Sequence, residues 1–336
     1  MAAYVAGGYF VLYFVLSKAV LPQSIGFAAP RGSDLKGKIE VHDMNALNPD
    51  HPKFKTSEQR VIVLTPMSRF YSEYWANLVQ LEYRHDLIDL GFIVPNNQAG
   101  DEVLKQLLPE IKAYQKSNSK TAFRSVHVLR QDTPSPENFD EKERHALANQ
   151  KERRKQQALA RNSLLFTTLQ PDTSWVLWLD ADVVETPATI ISDMIKHNKD
   201  VLVANCFQRF TDPEDGKEKI RPYDFNSWID SDTAAKMAIN MGNDDILLEG
   251  YAEMATYRTL MAYMYSEAGD KSTEVELDGV GGTALMVRAD VHRDGAMFPP
   301  FAFYHLIETE GFAKMAKRLN YKVWGLPNYL VYHYNE

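Results

Sequence analysis

Two aspartates, Asp180 and Asp182, stand one residue apart at the end of the apolar run Trp175-Val176-Leu177-Trp178-Leu179. A carboxylate pair at the carboxyl end of a buried strand sits where open α/β sheets take their ligands. Such a pair can hold a divalent cation that neutralises phosphate. Side chains two apart in an extended segment point the same way, so both acids are expected to face one ligand. Most Asp-x-Asp pairs are solvated turns or helix caps. Here the strand before them and the Thr186-Pro187 helix start after them favour a metal or phosphate role.

Other groups able to take part are scattered along the chain. Thr65 and Pro66 end the apolar run Val61-Ile62-Val63-Leu64. Arg161 and Asn162 lie in a long charged helix whose basic residues mostly read as solvated surface. This pair borders the apolar Leu164-Leu165-Phe166, where a cation and an amide can reach a nucleotide. Asp224 is the one acid of the aromatic loop Arg221-Pro222-Tyr223-Asp224-Phe225. Asp278 precedes Gly279, Gly281 and Gly282, which let a backbone approach a ligand closely, although a bulged edge strand looks the same. Glu308 and Glu310 open a helix, a place where acids are ordinary electrostatic capping. His333 lies near the last residue; a lone histidine is usually structural, yet imidazole readily complements carboxylates around a first-row metal.

The elements that must position these residues follow from periodicity. Apolar or alternating runs predict strands at 61–64, 123–129, 175–179 and 201–204, one after the glycine run, and closing strands at 321–325 and 329–334. Helices are expected over 71–90 with Gly91 as its cap, 101–116, 139–169, 186–196, 251–265 and to about 319 from the Glu308 region. Strands alternating with helices imply an α/β fold with a parallel sheet.

At 336 residues the chain can hold one large catalytic domain or two small ones. Its formal net charge of -8 argues against a general nucleic-acid binder. Cys206 is the only cysteine, which excludes an intrachain disulfide and reads as a buried strand residue. Residues Ala2 to Leu21 are apolar except for Ser17 and Lys18, about the 20 residues that span a bilayer as a helix. The expected organisation is a transmembrane anchor at 1–21, a stem at 22–59 and a catalytic domain at 60–336. Lys18, Arg31, Lys36 and Lys38 follow the apolar segment and no base precedes it, a bias that by itself puts the following side in the cytosol.

Longer motifs add to this. Leu-Thr-Pro-Met at 64–67, Lys-Glu-Arg-His-Ala-Leu at 142–147, Ala-Arg-Asn at 160–162 and Trp-Leu-Asp-Ala-Asp at 178–182 come in order. Arg-Pro-Tyr-Asp-Phe at 221–225, Leu-Asp-Gly-Val-Gly-Gly at 277–282, His-Arg-Asp-Gly-Ala-Met-Phe at 292–298 and Leu-Ile-Glu-Thr-Glu-Gly-Phe at 306–312 follow. With these, residues 60–334 resemble the fungal Golgi mannan-polymerase mannosyltransferases, glycosyltransferase family 62. The resemblance implies a single Rossmann-like nucleotide-sugar transferase fold of GT-A type. It also implies GDP-mannose as donor, an α-mannoside of an N-glycan as acceptor, Mn2+ as ion and retention of anomeric configuration. The product is then α-1,6-linked mannan, made by a type II Golgi membrane protein with its catalytic domain luminal, in a hetero-complex with paralogous subunits.

On that footing Asp182 is expected to bind the ion, Asp180 the ion or the ribose, and His333 to close the coordination. Thr65, Pro66, Arg161 and Asn162 are expected at the nucleotide. Asp224 is the first candidate for the carboxylate beside the sugar, with Asp278 and Glu308 behind it and Glu310 near the acceptor. Two rivals are weighed. A strand-Asp-x-Asp phosphohydrolase normally carries its motif on the first strand, whereas two strand candidates precede it here. A largely non-catalytic scaffold subunit that binds nucleotide could keep these motifs, but intact Asp180, Asp182 and His333 favour activity.

Overall fold

A computed structural model describes residues 39, 41–48, 59–117, 121–132, 147–251 and 253–335. The chain divides into Met1–His42 and Asp43–Glu336. The expected anchor at 1–21 and most of the expected stem lie outside the described residues. Among those described, no helix is long and apolar enough to cross a membrane.

The second unit is built on a mixed sheet. Its strands are β1 (Val61–Pro66), β2 (Ile88–Pro95), β3 (Ser125–Gln131), β4 (Trp175–Leu179), β5 (Val183–Glu185), β6 (Val201–Thr211), β7 (Glu218–Pro222), β8 (Trp228–Ile229), β9 (Thr259–Leu260), β10 (Val275–Glu276), β11 (Ala284–Arg288) and β12 (Val323–His333). Helices are α1 (Ser72–Val79), α2 (Gln98–Ser117), α3 (Leu147–Thr168), α4 (Ile190–Lys196), α5 (Asp232–Ile239), α6 (Ala289–Arg293) and α7 (Glu308–Arg318). The strand order is β10-β12-β6-β11-β4-β1-β2-β3, with β5 added to β12, β7 to β6, and β8 paired with β9 apart from the sheet.

Strands β3, β2, β1 and β4 run parallel, and β11 runs antiparallel between β4 and β6. Chain order reverses on either side of β1, and at such a switch point the crevice beyond the strand ends opens for a ligand. Pro66 ends β1 and Asp180 follows β4, so both stand at the strand ends where such a crevice lies.

Alternation explains why these strands are apolar throughout. Val61 and Val63 of β1 join a core with Trp75 of α1, Leu107 of α2 and Ile191 of α4. Ile62 and Leu64 join the opposite core with Leu164 of α3 and Phe312 and Ala313 of α7. β4 divides likewise, Trp175, Leu177 and Leu179 against Val176 and Trp178. A strand covered on both faces needs apolar residues at every position.

Three expectations change. The helix expected over 71–90 stops at Val79, and 88–95 form β2 between β1 and β3, with Gly91 inside the strand. A Cβ on Gly91 would lie 2.6 Å from Leu64 Cδ2, so this glycine serves packing against β1 and not a helix cap. Among the described residues of 251–265 no α-helix forms; that stretch carries β9 and the 3-10 turn Met261–Tyr263. The two closing strands are one, β12, with a register shift between Leu326 and Leu330. Pro109 lies within α2 without ending it.

Candidate active site

The two acids after β4 do not share one direction. The chain turns directly after the strand, Val183 N donating to Asp180 O at 3.1 Å, and leaves as β5. This corrects the expectation of an extended Asp-x-Asp. Asp180 turns to α3, where Arg161 Nη2 donates to its Oδ1 at 2.8 Å. Asp182 turns to the end of β12, where its Oδ2 lies 3.0 Å from His333 Nε2. Pairing of Val183 with His333, together with Tyr334 N donating to Asp182 O at 2.7 Å, brings the β4–β5 turn against the end of β12.

The His333 ring is held in a defined orientation. Its Nδ1–H donates to Tyr334 O at 2.7 Å, and Tyr223 stacks on the imidazole with centroids 3.6 Å apart. Nε2 is then the nitrogen that faces Asp182, whose ionised carboxylate only accepts. At this distance either a proton on Nε2 or a cation has to stand between the two. The donor set suits a metal: cis ligands of an octahedral ion with bonds of about 2.1 Å stand about 3.0 Å apart. Among the described residues no three His, Cys, Asp or Glu groups gather as a metal cluster. Asp182 and His333 thus come together, while Asp180 is engaged by Arg161.

Arg161 sits at the centre of the polar side of the site. It is buried; its Nε donates to Glu308 Oε1 at 2.9 Å, and its guanidinium lies 5.5 Å from the Trp178 and Phe298 ring centres. Nη1 is buried and makes no hydrogen bond. Burial pushes Asp180 up to about 6, with Asp182 and Glu308 adding to the rise and Arg161 opposing it. Burial pulls Arg161 down, but Asp180 and Glu308 more than offset this and keep it charged. Gly282 permits the arrangement, because a Cβ there would lie 2.5 Å from Arg161 Nη2. Glu308 takes φ +54, a left-handed conformation that costs a non-glycine residue about 1–3 kcal/mol and is here tied by Arg161 and by its own N–H to Pro299 O.

Asp224 is buried across the site. Its Oδ1 accepts from the backbone N–H and the Nδ2 of Asn226, at 2.9 and 2.8 Å. Its Oδ2 receives only a long bond from Thr283, at 3.4 Å, and lies against Gly281, where a Cβ would collide with it. Burial pushes the Asp224 carboxyl up, against the hydrogen bonds from Asn226.

Four other expected residues serve the scaffold. Asn162 spends its side chain on Phe298, donating to O at 2.7 Å and accepting from N at 3.0 Å, so it braces a loop instead of facing a nucleotide. Glu310 is fully buried, accepting from Arg154 Nη1 at 2.9 Å and Trp228 Nε1 at 2.8 Å, with no face left for an acceptor. Asp278 is tied to Lys317 and accepts from Asp230 N at 2.8 Å. Thr65 is buried with its hydroxyl bonded to Tyr74, which leaves the half-buried Pro66 as the outer end of β1.

Residues outside the expected site complete the picture. Arg154, one of the basic residues of the long helix, is buried and joins Glu310 to Asn226, donating to Asn226 Oδ1 at 2.8 Å. Its spacing of seven from Arg161 puts both on one side of α3, a usable signal. Tyr223 and Thr283 carried no such mark.

Comparison with known proteins adds the following. The Anp1 family model matches residues 38–302. The chain is 55% identical over 301 residues to the mannan polymerase complex subunit MNN9 of Candida albicans, covering 90% of this chain and 81% of that protein. It is 51% identical over 333 residues to the mannan polymerase complex subunit mnn9 of Schizosaccharomyces pombe, covering 99% and 96%. To the mannan polymerase II complex ANP1 subunit of Saccharomyces cerevisiae it is 33% identical over 330 residues, covering 96% and 65%.

Proposed function

This chain belongs to the Anp1 family, and from that premise we propose that it is a retaining, metal-dependent mannosyltransferase. It moves mannose from GDP-mannose to an α-mannoside and builds the α-1,6-mannan backbone of N-linked glycans. It acts beside paralogous subunits in the Golgi, its catalytic domain luminal and anchored by residues 1–21. Relatives named as mannan polymerase complex subunits support the complex and the polymer. The observation that carries the catalytic reading is the approach of Asp182 Oδ2 to His333 Nε2 at the strand-end crevice.

Asp182 and His333 are the residues that would hold Mn2+, which when bound supplies Lewis acidity toward the donor diphosphate. Asp180 stands beside them, steered by Arg161, to bind the ion or the ribose. Pro66 borders the crevice from β1, where the nucleotide is expected. In the reaction the bond from the anomeric carbon to the donor phosphate breaks and a bond to the acceptor hydroxyl oxygen forms on the same face. The acceptor proton passes to the departing phosphate oxygen, so no separate base is needed. Positive charge grows on the sugar ring meanwhile, and Asp224 Oδ2, sparingly hydrogen-bonded, is the carboxylate oxygen offered to it.

Asp182→Ala in the intact protein is expected to lower transfer from GDP-mannose by about 100-fold or more, with loss of the Mn2+ response. Transfer at the normal rate would sink the assignment. Titration should also favour GDP over UDP, because a site that pairs with a base edge rejects a base lacking those partners.

A further inference from the structure

The aromatic loop that carries Asp224 has a second feature. Phe225, the next residue, is only half buried, and its ring lies 5.8 Å from that of Tyr263, inclined at 37°. Tyr263 is 70% exposed. It is not a loose side chain on a loose loop. It ends the 3-10 turn Met261–Tyr263, whose Met261 and Ala262 are buried. Met261 N donates to Ser227 O at 2.9 Å, so the turn is bound to the very segment that holds Asp224, Phe225 and Asn226. Behind it Asn205 Nδ2 donates to Met261 O at 3.3 Å, and Tyr265 packs on Phe207 with centroids 5.1 Å apart.

Three consecutive residues therefore face three tasks. Tyr223 stacks on His333, Asp224 turns Oδ2 toward Thr283, and Phe225 joins Tyr263 at the surface. Phe225 follows Asp224 directly, with neighbouring Cα atoms about 3.8 Å apart, so the ring pair is tied to the same short segment as the carboxylate. An exposed aromatic pair anchored on the segment of a buried carboxylate suits a ligand with one apolar and one hydroxylated side. A pyranose is such a ligand, its axial C–H groups forming the apolar face.

We propose that Phe225 and Tyr263 form an acceptor subsite on which one pyranose of the α-mannoside stacks. The inference rests on the transferase reading above and adds to it the position of the acceptor. The ring of Tyr263, not its hydroxyl, makes the contact, so substitution by phenylalanine is tolerated and by alanine is not.

The test uses the full chain in its native assembly, with a mannooligosaccharide titrated in the presence of GDP and Mn2+. Tyr263→Ala is expected to weaken mannooligosaccharide binding and raise its KM by about five- to tenfold. GDP affinity and Tm should stay as in the parent protein, since the side chain is largely in water. Tyr263→Phe should bind like the parent, and Tyr304→Ala, an exposed aromatic outside this pair, should change nothing. Unaltered oligosaccharide binding and KM in Tyr263→Ala, in a preparation whose parent transfers mannose, would overturn the subsite alone. A parent that binds GDP but neither binds nor extends the oligosaccharide would overturn the subsite together with the transferase reading.

Discussion

Single side chains in this protein work by commitment: each polar group near the crevice is usable only to the extent that the fold has not already engaged it. His292 shows the logic for a proton. Its Nδ1–H donates to Ala296 O at 2.8 Å, and its Nε2 accepts from Trp178 Nε1 at 3.2 Å. Protonation would set two N–H groups head to head, and burial already pulls the imidazole down to about 4. A depressed histidine contributes stability that is complete above its unfolded pKa near 6.5 and is lost as pH falls through about 4. Thermal melts between pH 7 and pH 4 should reveal a loss of about 3 kcal/mol from this group, absent in His292→Phe. Arg161 gives the corresponding case for charge. Arg161→Ala leaves Asp180 and Glu308 without their cation and should cost about 3–5 kcal/mol by denaturant unfolding. Asn162→Ala tests the reassignment made above. It should cost about 1–3 kcal/mol of stability through the two lost bonds to Phe298, yet leave GDP affinity in titration as it was.

At the scale of elements, the site is held by where strands end and where backbones touch. The turn between β4 and β5 sends Asp180 toward α3 and Asp182 toward β12. The segment before β11 lies so close to the opposite loop that Gly281 has no room for a side chain beside Asp224. Gly281→Ala should therefore displace Asp224, cost about 1–3 kcal/mol as an overpacked site, and abolish transfer while GDP still binds. Donor titration alongside a turnover assay separates the two effects. The strand β2 was hidden from periodicity because the 3-10 turn His85–Leu87 runs straight into it. An apolar run that begins directly after such a turn reads as helix until its neighbours in the sheet are known.

For the molecule as a whole, the sheet joins a parallel half, β3-β2-β1-β4, to a half built from β11, β6, β12 and β10. β12 is the last long strand of the chain and carries His333 at its end while pairing with β6, β5 and β10. Removing residues 329–336 should therefore cost more than a ligand. The shortened chain is expected to lose cooperative unfolding, which a melt or limited proteolysis would reveal, whereas His333→Ala should remain folded and lose only its Mn2+ response.

What the amino-acid order determined by itself was burial and period. Unbroken apolar runs such as Val61–Leu64 and Trp175–Leu179 dictate strands covered on both faces, and the acid pair after the second run then has to stand at a sheet end. The family motifs were equally legible, since they are local strings. The tertiary structure alone decided the pairings: Asp180 with Arg161, Asp182 with His333, Glu310 with Arg154 and Asn162 with Phe298. Arg161 and Glu308 are 147 residues apart, and nothing in local pattern distinguishes that glutamate from any other acid in a first helical turn. Such a contact exists only because the sheet has closed and excluded water around it. In that dry space a charge must find its one available partner, whereas in the extended chain every acid is solvated alike.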